Sequence, residues 1–519
     1  MTERIYLSTT IPYVNGRAHG GHALELVQAD VLARHHRQIG DEVRLQSGTD
    51  DNSLKNVLAA AAEGISTREL VDRNAGQFAS LREHLSLSFD DFIRTSSDPR
   101  HRPGVERLWR ACQASGDLYR RTYAGLYCVG CEQFYTEAEL ISTAGSDSVC
   151  PEHGEPPQLI AEENWFFRLS AYGDRLAAEI NSGRLRIEPA SRRNEVLGFI
   201  AAGLEDFSAS RSVERARGWG IGVPGDPTQV IYVWWDALGN YVTSLGAGAV
   251  GEAGAAYQHW WAGADERVHV AGKGVLRFHA VYWPAILLSA GLPLPTQILV
   301  HDYLTVDGAK ISKSAPGQAA GDNDPVVLTS RYGADALRWW LIRDVPRTGD
   351  TDFTVARLVS RANEDLANGL GNLVSRVVTL AHRYSGGTVR AVGPAGPAWP
   401  QDARALGAAI EQAPGTVRAS LARFDLRAAA AGVWAIVEAA NRYVDATEPW
   451  HLGRAGDPRF GEVLGALLTA CQTVAAELAP FLPGLAGRVA AACDLTSGRL
   501  PAPAPVFPRL EVPVPVPLS

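Results

Sequence analysis

Short apolar runs alternate with helical patterns at the start of the chain. Residues 5–10 predict a buried strand, residues 42–47 predict a second strand, and the segment between them predicts a helix over about residues 21–36. The apolar positions at helical spacing are Leu24, Val27, Val31 and Leu32. Strand, helix and strand in this order begin a parallel α/β sheet. Ligands of such sheets bind beyond the carboxyl ends of the strands, so the segments after both strands are candidate binding loops.

Further along, the pattern indicates an insertion and then a helical region. Residues 55–120 are mostly helical in pattern, and residues 123–217 carry the short strands, cysteines and turns of an insertion. The sheet resumes with predicted strands at residues 230–235, 268–271 and 297–301. Long helical patterns follow at residues 359–385, 403–456 and 459–494. The predicted fold class is α/β, a Rossmann-type parallel-sheet domain with an insertion, followed by an all-α helical bundle.

Composition narrows the classes of function. A chain of 519 residues suggests about three domains. A formal net charge of −8 argues against binding of nucleic acid through the overall charge of the protein. It leaves open a local basic track, formed by Arg94, Arg100, Arg102, Arg107 and Arg110, although such runs are usually solvated faces. With no apolar run of membrane-spanning length, no signal-peptide layout and only six cysteines, we expect a cytoplasmic protein without membrane contact.

Lysine is scarce in this chain, and two of the four lysines lie in one loop. Only four of the 49 basic residues are lysine, and two of them, Lys310 and Lys313, are three residues apart in Lys310-Ile311-Ser312-Lys313-Ser314. Lysine is a compact point charge on a flexible stem, whereas arginine is a planar fork. A loop that moves small cations onto phosphates favours lysine. An isolated K-x-x-K is more often a solvated surface loop, but the scarcity of lysine favours a functional one.

Two histidines, His19 and His22, open the first predicted helix. A helix N-terminus favours anions, and each ring supplies at least one N–H donor, which suits a phosphate in a negatively charged transition state. Alone, H-x-x-H could also be a metal pair or two surface histidines. Together with the lysine loop at the same edge of the sheet, it favours nucleotide chemistry.

The inserted region carries the spacing of a metal site. Cys128-x-x-Cys131 is followed by Cys150-x-x-His153, with residues 132–149 between the two pairs. Two closely spaced pairs with a gap of this length predict a closed, tetrahedral and therefore structural zinc site. The other cysteines are predicted to be buried small hydrophobes; they are Cys112, Cys471 and Cys493.

These motifs occur together in a known family. His19-Gly20-Gly21-His22 resembles the HIGH signature of class I aminoacyl-tRNA synthetases, and the lysine loop resembles their KMSKS loop. Within that class, the surrounding segments resemble methionyl-tRNA synthetases, and the resemblance extends from residue 5 to about residue 510. The segments that carry it are residues 10–16, 232–238, 278–279 and 282–284.

The resemblance implies a methionine–tRNA ligase. Such an enzyme activates L-methionine with ATP and Mg²⁺ to methionyl-adenylate and transfers the methionyl group to the 3′ end of tRNA(Met). It implies that His19 and His22 stabilise the α-phosphate and that Lys310 and Lys313 hold the departing pyrophosphate. This chemistry is mainly positioning and stabilisation of charge, and it needs no protein nucleophile, because the substrate carboxylate is the nucleophile.

The resemblance also assigns a methionine pocket. Aromatic side chains with one polar ring suit a polarisable thioether, and Asp50 falls where a carboxylate meets the substrate ammonium group. Packing in an ordinary core is the alternative for these aromatic residues, and the two roles are compatible. The assigned positions are Ile11, Tyr13, Trp234, Ala237, Leu238, Tyr241, Val275, His279 and Trp283.

For tRNA, the resemblance assigns Asn372, Arg376 and Trp450 to reading the CAU anticodon. Asn and Arg can bond base edges, and Trp offers a stacking platform. We expect a monomer, since no C-terminal dimerisation segment is seen. The implied domains are two catalytic halves, 1–120 and 226–325, a connective insertion with the zinc knuckle, 121–225, a stem-contact junction, 326–358, an anticodon-binding bundle, 359–500, and an extended Pro-rich tail, 501–519.

Three segments depart from the family pattern. Asn52 and Ser53 follow Asp51 where the family usually has His and Gly, Gly274 stands where it has Asp, and Ile311 replaces Met. These changes concern the handling of ATP and indicate a divergent second copy. Two alternatives stay open: an adenylate-forming ligase recruited to a small-molecule biosynthetic pathway, and a non-catalytic tRNA-binding paralogue.

Overall fold

The structure is a computed structural model. The residues it describes are 2–129, 133–141, 148–152, 154–249, 251–306, 308–310, 323–390, 399 and 401–511. The chain divides into two units. The first consists of Met1–Ala18, Gly40–Ser80 and Phe89–His301, and the second of His19–Ile39, Leu81–Ser88 and Asp302–Ser519.

A six-stranded parallel sheet forms the centre of the first unit. In chain order its strands are β1 Arg4–Thr9, β2 Glu42–Thr49, β3 Asp91–Arg94, β4 Arg186–Glu188, β5 Glu266–Gly272 and β6 Gln297–His301. Their spatial order is β3-β2-β1-β5-β6-β4, and every neighbouring pair is parallel. The apolar run that predicted β1 is buried because this strand lies in the middle of the sheet.

The inserted region of this unit contributes β4 to the parallel sheet, and two small antiparallel sheets lie in it and at its borders. One has the strand order Gln133–Tyr135, Leu118–Cys128, Gln158–Phe167, Phe207–Ser208, and the other has the order Gly222–Val223, Asp226–Ile231, Ser210–Ser212. The strand predicted over residues 230–235 is wrong beyond residue 231, because strand Asp226–Ile231 ends there and helix Val233–Thr243 follows. It was also predicted to continue the parallel sheet, whereas it pairs antiparallel with Gly222–Val223 and Ser210–Ser212. The aromatic run that resembled a strand supplies the first turn of this helix.

Helices surround these strands. The α-helices of the first unit are Leu54–Glu63, Thr67–Ala79, His101–Ala114, Gly173–Asn181, Ala190–Ala201, Val233–Thr243, Glu252–Tyr257 and Trp283–Ser289. Its shorter helical turns are Glu137–Glu139, Leu169–Tyr172, Gln258–Ala262, Lys273–Val275 and Phe278–Tyr282.

The second unit is mainly helical, as the pattern predicted for this part of the chain. Its α-helices are Gly20–Gln38, Leu81–His84, Pro325–Tyr332, Ala334–Arg343, Val355–Arg361, Asn372–Ser385, Arg404–Leu421, Leu426–Thr447, Pro449–Ala455, Arg459–Leu478 and Pro483–Ala492. A π-helical stretch, Ala362–Gly371, and a 3₁₀ turn, Gln401–Ala403, complete the helices. A three-stranded sheet has the order Ala309–Lys310, Leu304–Val306, Thr351–Asp352.

A fully buried arginine, Arg338, connects three segments of the second unit. Its Nη1 lies 2.8 Å from Asp30 Oδ2, on helix Gly20–Gln38, and donates to the Leu85 carbonyl oxygen at 3.0 Å. Its Nε donates to the Phe481 carbonyl oxygen at 2.8 Å. Removing one member of a buried ion pair typically costs about 3–5 kcal/mol, so this arginine is central to the stability of the unit.

The C-terminal stretch of the described chain packs along the same unit. Asn363 and Leu510 exchange two hydrogen bonds, of 2.8 and 2.7 Å, and Arg488 Nε donates to the Val506 carbonyl oxygen at 2.6 Å. Phe507 is buried beside them. Within the described ranges, no helix is long and apolar enough to cross a membrane.

Candidate active site

The two signature histidines cap the first turn of helix Gly20–Gln38. His19 precedes the helix in an extended conformation, and its Nδ1 accepts a hydrogen bond from the Gly21 N–H at 3.2 Å. His22 Nδ1 accepts from the His19 N–H at 3.1 Å. The bonds satisfy two backbone donors that would otherwise lack partners at a helix N-terminus.

These capping bonds fix the tautomer of both rings. Because each Nδ1 accepts, each neutral imidazole carries its proton on Nε2. The ring centroids of His19 and His22 are 3.9 Å apart, so the rings form one group beside the helix N-terminus. Two ring donors at such a position suit a phosphate oxygen.

The backbone of Lys310 lies on the short strand Ala309–Lys310. Gly308, in the turn before it, has a φ of 74°, which favours glycine. Asp352 Oδ1 holds this turn by accepting from the Gly308 N–H and from Thr305 Oγ1, both at 3.0 Å. The side chain of Lys310 and the whole of Lys313 lie outside the described residues, so their predicted contacts with phosphate stay predictions.

Four of the predicted pocket residues share one face of helix Val233–Thr243. Trp234, Ala237, Leu238 and Tyr241 follow the i, i+3, i+4, i+7 spacing that aligns side chains along a helix. Trp234 is half-buried and the other three are buried. The Trp234 ring stacks on Phe278 with a centroid distance of 3.8 Å. This helix, which we call the pocket helix, therefore presents a continuous apolar wall.

A second wall comes from three residues spaced four apart, Val275, His279 and Trp283. His279 Nδ1 donates to the Val275 carbonyl oxygen at 2.9 Å, and its Nε2 accepts from the Tyr241 hydroxyl at 2.7 Å. The Trp283 ring lies 5.9 Å from the Tyr241 ring. The second wall is therefore bonded directly to the pocket helix.

Tyr13 and Asp50 lie beyond the carboxyl ends of β1 and β2, where parallel sheets bind ligands. They form a parallel bridge, and the Asp50 N–H donates to the Pro12 carbonyl oxygen at 2.9 Å. The Tyr13 ring lies edge-on, 6.3 Å from Trp234. The loop after β1 therefore reaches the pocket helix.

Ile11 lies beside Gly48, near the end of β2. A Cβ added to Gly48 would be 2.3 Å from the Ile93 carbonyl oxygen and 3.1 Å from Ile11 Cγ2. Only glycine fits between β3 and the loop that carries Ile11. All ten residues assigned to methionine thus fall within the first unit.

A buried histidine that the sequence reasoning missed lies behind the pocket. His269, on β5, accepts from Trp283 Nε1–H through Nε2 at 3.2 Å, and its Nδ1 lies 2.6 Å from Ser8 Oγ. Its ring is 4.1 Å from that of Tyr241. Burial, with smaller effects of neighbouring His279 and Arg267, lowers the pKa of His269 well below 6.5, so the ring is neutral. A single histidine in an apolar strand gives no indication in the sequence that it packs behind a binding pocket.

Two arginines were also missed, of which Arg211 is buried and Arg215 is half-buried. The Arg215 guanidinium lies 3.7 Å over the Tyr127 ring, and that of Arg211 lies 4.3 Å over the Tyr232 ring. Arg211 Nε and Arg215 Nη2 are buried, and no described residue is a hydrogen-bond partner of either atom. Both arginines border a cavity of about 30 Å³ that Asn52 also lines. Arg215 Nη1 lies 3.3 Å from Glu162 Oε2, so a carboxylate already pairs with this arginine.

The chain matches the family described as tRNA synthetases class I (M) over residues 5–152 and 139–378. The methionine–tRNA ligase of Brucella suis biovar 1 is 39% identical over 523 residues, which cover 98% of each chain. That of Rhizobium meliloti is 39% identical over 529 residues, which cover 99% of each chain. The chain belongs to the methionyl-tRNA synthetases.

Solved structures of the family have the same fold. Mycobacterium tuberculosis methionyl-tRNA synthetase bound by methionyl-adenylate matches with a TM-score of 0.89 and 36% identity, over 98% of this chain and 100% of that one. The apo form from the same organism gives a TM-score of 0.81 and 33% identity over 99% of both. The predicted fold class, a parallel-sheet domain followed by a helical C-terminal region, is confirmed.

Two of the four candidate zinc ligands of the synthetase, Cys128 and Cys150, lie within the described residues. Cys128 ends strand Leu118–Cys128, directly opposite Gln133 of the next strand. Cys150 accepts through its carbonyl oxygen from the Gly154 N–H at 2.8 Å. Both cysteines are buried in one cluster with Tyr135.

The other two candidate ligands, Cys131 and His153, lie outside the described residues. No group of three or more metal-binding side chains occurs in the part of the chain that the structure describes, which holds only two of the four candidates. The zinc site therefore stays a prediction.

The candidate anticodon residues of the synthetase lie on two helices of the second unit. Asn372 and Arg376 are exposed, one turn apart on helix Asn372–Ser385, and Trp450 is half-buried on helix Pro449–Ala455. These helices pack closely, because a Cβ added to Gly453 would be 2.5 Å from Tyr384 Cδ2.

Proposed function

We propose that this chain is a methionine–tRNA ligase, which activates L-methionine with ATP to methionyl-adenylate and transfers the methionyl group to the 3′ end of tRNA(Met). The observation that supports the proposal is the packing of the residues assigned to methionine against one another. One face of the pocket helix is joined to the Val275–His279 turn by the 2.7 Å bond between Tyr241 and His279.

The hydrogen bonding of the pocket suits a thioether. The Tyr241 hydroxyl donates to His279, and His279 donates to Val275, so the ring satisfies its polar atoms within the protein. An apolar, polarisable side chain then packs against the aromatic surfaces without leaving a buried polar atom unpaired. In our proposal the Asp50 carboxylate accepts from the substrate ammonium group, a charge-assisted bond.

Adenylate formation requires stabilisation of charge on phosphate. A methionine carboxylate oxygen attacks the α-phosphorus of ATP, the bond to the β-phosphate oxygen breaks, and pyrophosphate leaves. His19 and His22 donate from Nε2 to the α-phosphate, and Lys310 and Lys313 hold the pyrophosphate. Mg²⁺, bound through the phosphate oxygens of ATP, neutralises part of their charge.

We also propose one structural zinc ion, held by Cys128, Cys131, Cys150 and His153. Thiolates and an imidazole form the donor set that zinc prefers, and the two described cysteines already share a buried cluster. A zinc ion with these ligands has no open position, so it would stabilise the inserted region and take no part in the chemistry.

For the second step, Asn372, Arg376 and Trp450 would bind the CAU anticodon, the first two by bonds to base edges and the third by stacking. Their exposure and the packing of their helices support this assignment. We further propose that the enzyme acts as a monomer in the cytoplasm.

The proposal is tested by charging of tRNA(Met) transcripts with radiolabelled methionine. We expect charging of the CAU transcript and none of a transcript with a changed anticodon. Formation of methionyl-adenylate without charging of any tRNA would favour a ligase that serves a small-molecule pathway. Binding of tRNA without adenylate formation would favour a non-catalytic paralogue.

A further inference from the structure

Asn52, at the position where this chain departs from its family, contacts both sides of the pocket. Its backbone N–H donates to Asp50 Oδ1 at 3.2 Å. Its side-chain Nδ2 donates to Asp236 Oδ2 at 2.6 Å and to the Thr95 carbonyl oxygen at 3.3 Å. Asn52 and Asp236 are 9% and 1% exposed, so water does not compete for this bond.

Asp236 lies on the first turns of the pocket helix, between Trp234 and Ala237. The Asn52–Asp236 bond therefore connects the segment that carries Asp50 to the helix that carries the apolar wall. A hydrogen bond to an ionised carboxylate is about twice as strong as a bond between neutral groups.

A buried histidine holds the other oxygen of the same carboxylate. His101 Nε2 contacts Asp236 Oδ1, and His101 Nδ1 lies 2.8 Å from Thr243 Oγ1. Thr243 is the last residue of the pocket helix, so His101 contacts both the beginning and the end of that helix. Gly104 leaves room for this contact, since a Cβ there would be 2.5 Å from Thr243 Cγ2. His101 thus fixes the helix along its length, and Asn52 sets its distance from Asp50.

We propose that Asn52 is a positioning residue for methionine, which acts through Asp236 to hold the pocket helix against the segment that carries Asp50. The inference rests on the proposed function, because it assigns methionine to this pocket. Asn52 itself does not touch the substrate in this account. Loss of its donor changes the spacing between the apolar wall and the carboxylate, and so weakens methionine binding without changing the phosphate chemistry.

The first test removes the side-chain N–H donor of Asn52 and keeps the shape of the side chain. Asn52→Asp puts a second carboxylate opposite Asp236, and we expect the KM for methionine in ATP–pyrophosphate exchange to rise about 10- to 100-fold, with kcat and the KM for ATP unchanged. Asn52→His supplies a ring N–H donor and should restore the parental KM for methionine. A matched control is Asn363→Asp, which removes a side-chain amide donor in the second unit and should leave every constant unchanged.

The second test exchanges the amide of Asn52 and the carboxylate of Asp236 between the two positions. In Asn52→Asp/Asp236→Asn, the new amide at position 236 donates to the new carboxylate at position 52 and still offers an oxygen to His101. We expect this double variant to recover most of the affinity for methionine. It keeps the proposal testable even if Asn52→Asp alone does not fold.

Three results would overturn the proposal. The first is an unchanged KM for methionine in Asn52→Asp. The second is a variant Asn52→Asp in which kcat falls and the KM values for methionine and ATP both rise. The third is a double variant, Asn52→Asp/Asp236→Asn, that does not recover affinity for methionine. If the parent shows no exchange with methionine, the proposed function fails. Direct titration of methionine by calorimetry then tests the Asn52 role on its own, and equal affinity of parent and Asn52→Asp would contradict it.

Discussion

At the scale of single residues, hydrogen-bond partners set the tautomers of four histidines. His19 and His22 accept backbone N–H groups at Nδ1, so they carry their protons on Nε2. His279 donates to a carbonyl oxygen from Nδ1 and has Nε2 as an acceptor. In His269, Nε2 accepts from Trp283 Nε1–H, so the ring proton is again on Nδ1. The first pair is arranged to donate to phosphate, and the second pair is arranged to hold the pocket.

The role of His19 can be separated from its role as a helix cap. Asn is among the best capping residues, so His19→Asn should keep the helix and its stability while it removes the Nε2–H donor. We expect an unchanged melting temperature and a fall in the ATP–pyrophosphate exchange rate by about 10²-fold or more, the usual cost of losing one donor to a charged transition state. A variant with the parental exchange rate would rule out the donor role.

Tyr241 should matter through its hydroxyl alone. Tyr241→Phe keeps the ring against Trp283 but frees His279 Nε2 inside an apolar pocket, and a neutral hydrogen bond contributes about 0.5–1.5 kcal/mol. We therefore expect a higher KM for methionine and an unchanged KM for ATP in exchange kinetics. The matched control is Tyr443→Phe, which removes a hydroxyl bonded to Asp402 in the second unit. Equal effects of the two changes would contradict the account.

At the scale of elements, periodicity predicted the long buried strands and missed the short ones. β1, β2, β5 and β6 each carry an apolar run, and the sequence predicted all four. β3 and β4 were missed, because Asp91–Arg94 and Arg186–Glu188 have only four and three residues, with charged ends. Such short edge strands form because a neighbour offers hydrogen bonds, and their own composition gives no signal.

The pocket helix shows why the local pattern can mislead. Val230, Tyr232, Trp234 and Trp235 favour a strand by residue type, yet the 3.6-residue spacing of Trp234, Ala237, Leu238 and Tyr241 predicts a helix. Resemblance to the family named the pocket residues, whereas His269, Asn52, Arg211 and Arg215 acquire their contacts only from residues distant in the chain. Their partners could not be inferred from spacing.

The zinc prediction concerns the inserted region. We expect about one zinc ion per chain by elemental analysis, and its loss in Cys150→Ser together with a lower melting temperature. Cys112→Ala provides the control, because Cys112 is buried in the main core of the first unit and should leave the zinc content unchanged. A metal-free protein with parental stability would remove the claim.

At the scale of the whole molecule, the candidate groups divide between the two units. The residues assigned to methionine fall in the first unit, whereas His19, His22, Lys310, Lys313 and the candidate anticodon residues fall in the second. Changes confined to the methionine pocket should therefore alter the use of one substrate. Changes to the candidate anticodon residues should alter the use of tRNA.

Trp450 tests this division. Trp450→Ala should remove about 1–3 kcal/mol of stacking on a base and so impair charging of tRNA(Met), while ATP–pyrophosphate exchange stays at the parental rate. Trp260→Ala is the matched control, since Trp260 is a half-buried tryptophan of the first unit with no proposed contact to tRNA. Equal charging by Trp450→Ala and the parent would exclude the anticodon role.

The most direct measurement of the central claim is ATP–pyrophosphate exchange with each proteinogenic amino acid in turn. If the pocket is built for a thioether, methionine alone should support rapid exchange, and the rate should need both ATP and Mg²⁺ but no tRNA. Absence of exchange with methionine, or faster exchange with another amino acid, would contradict the account.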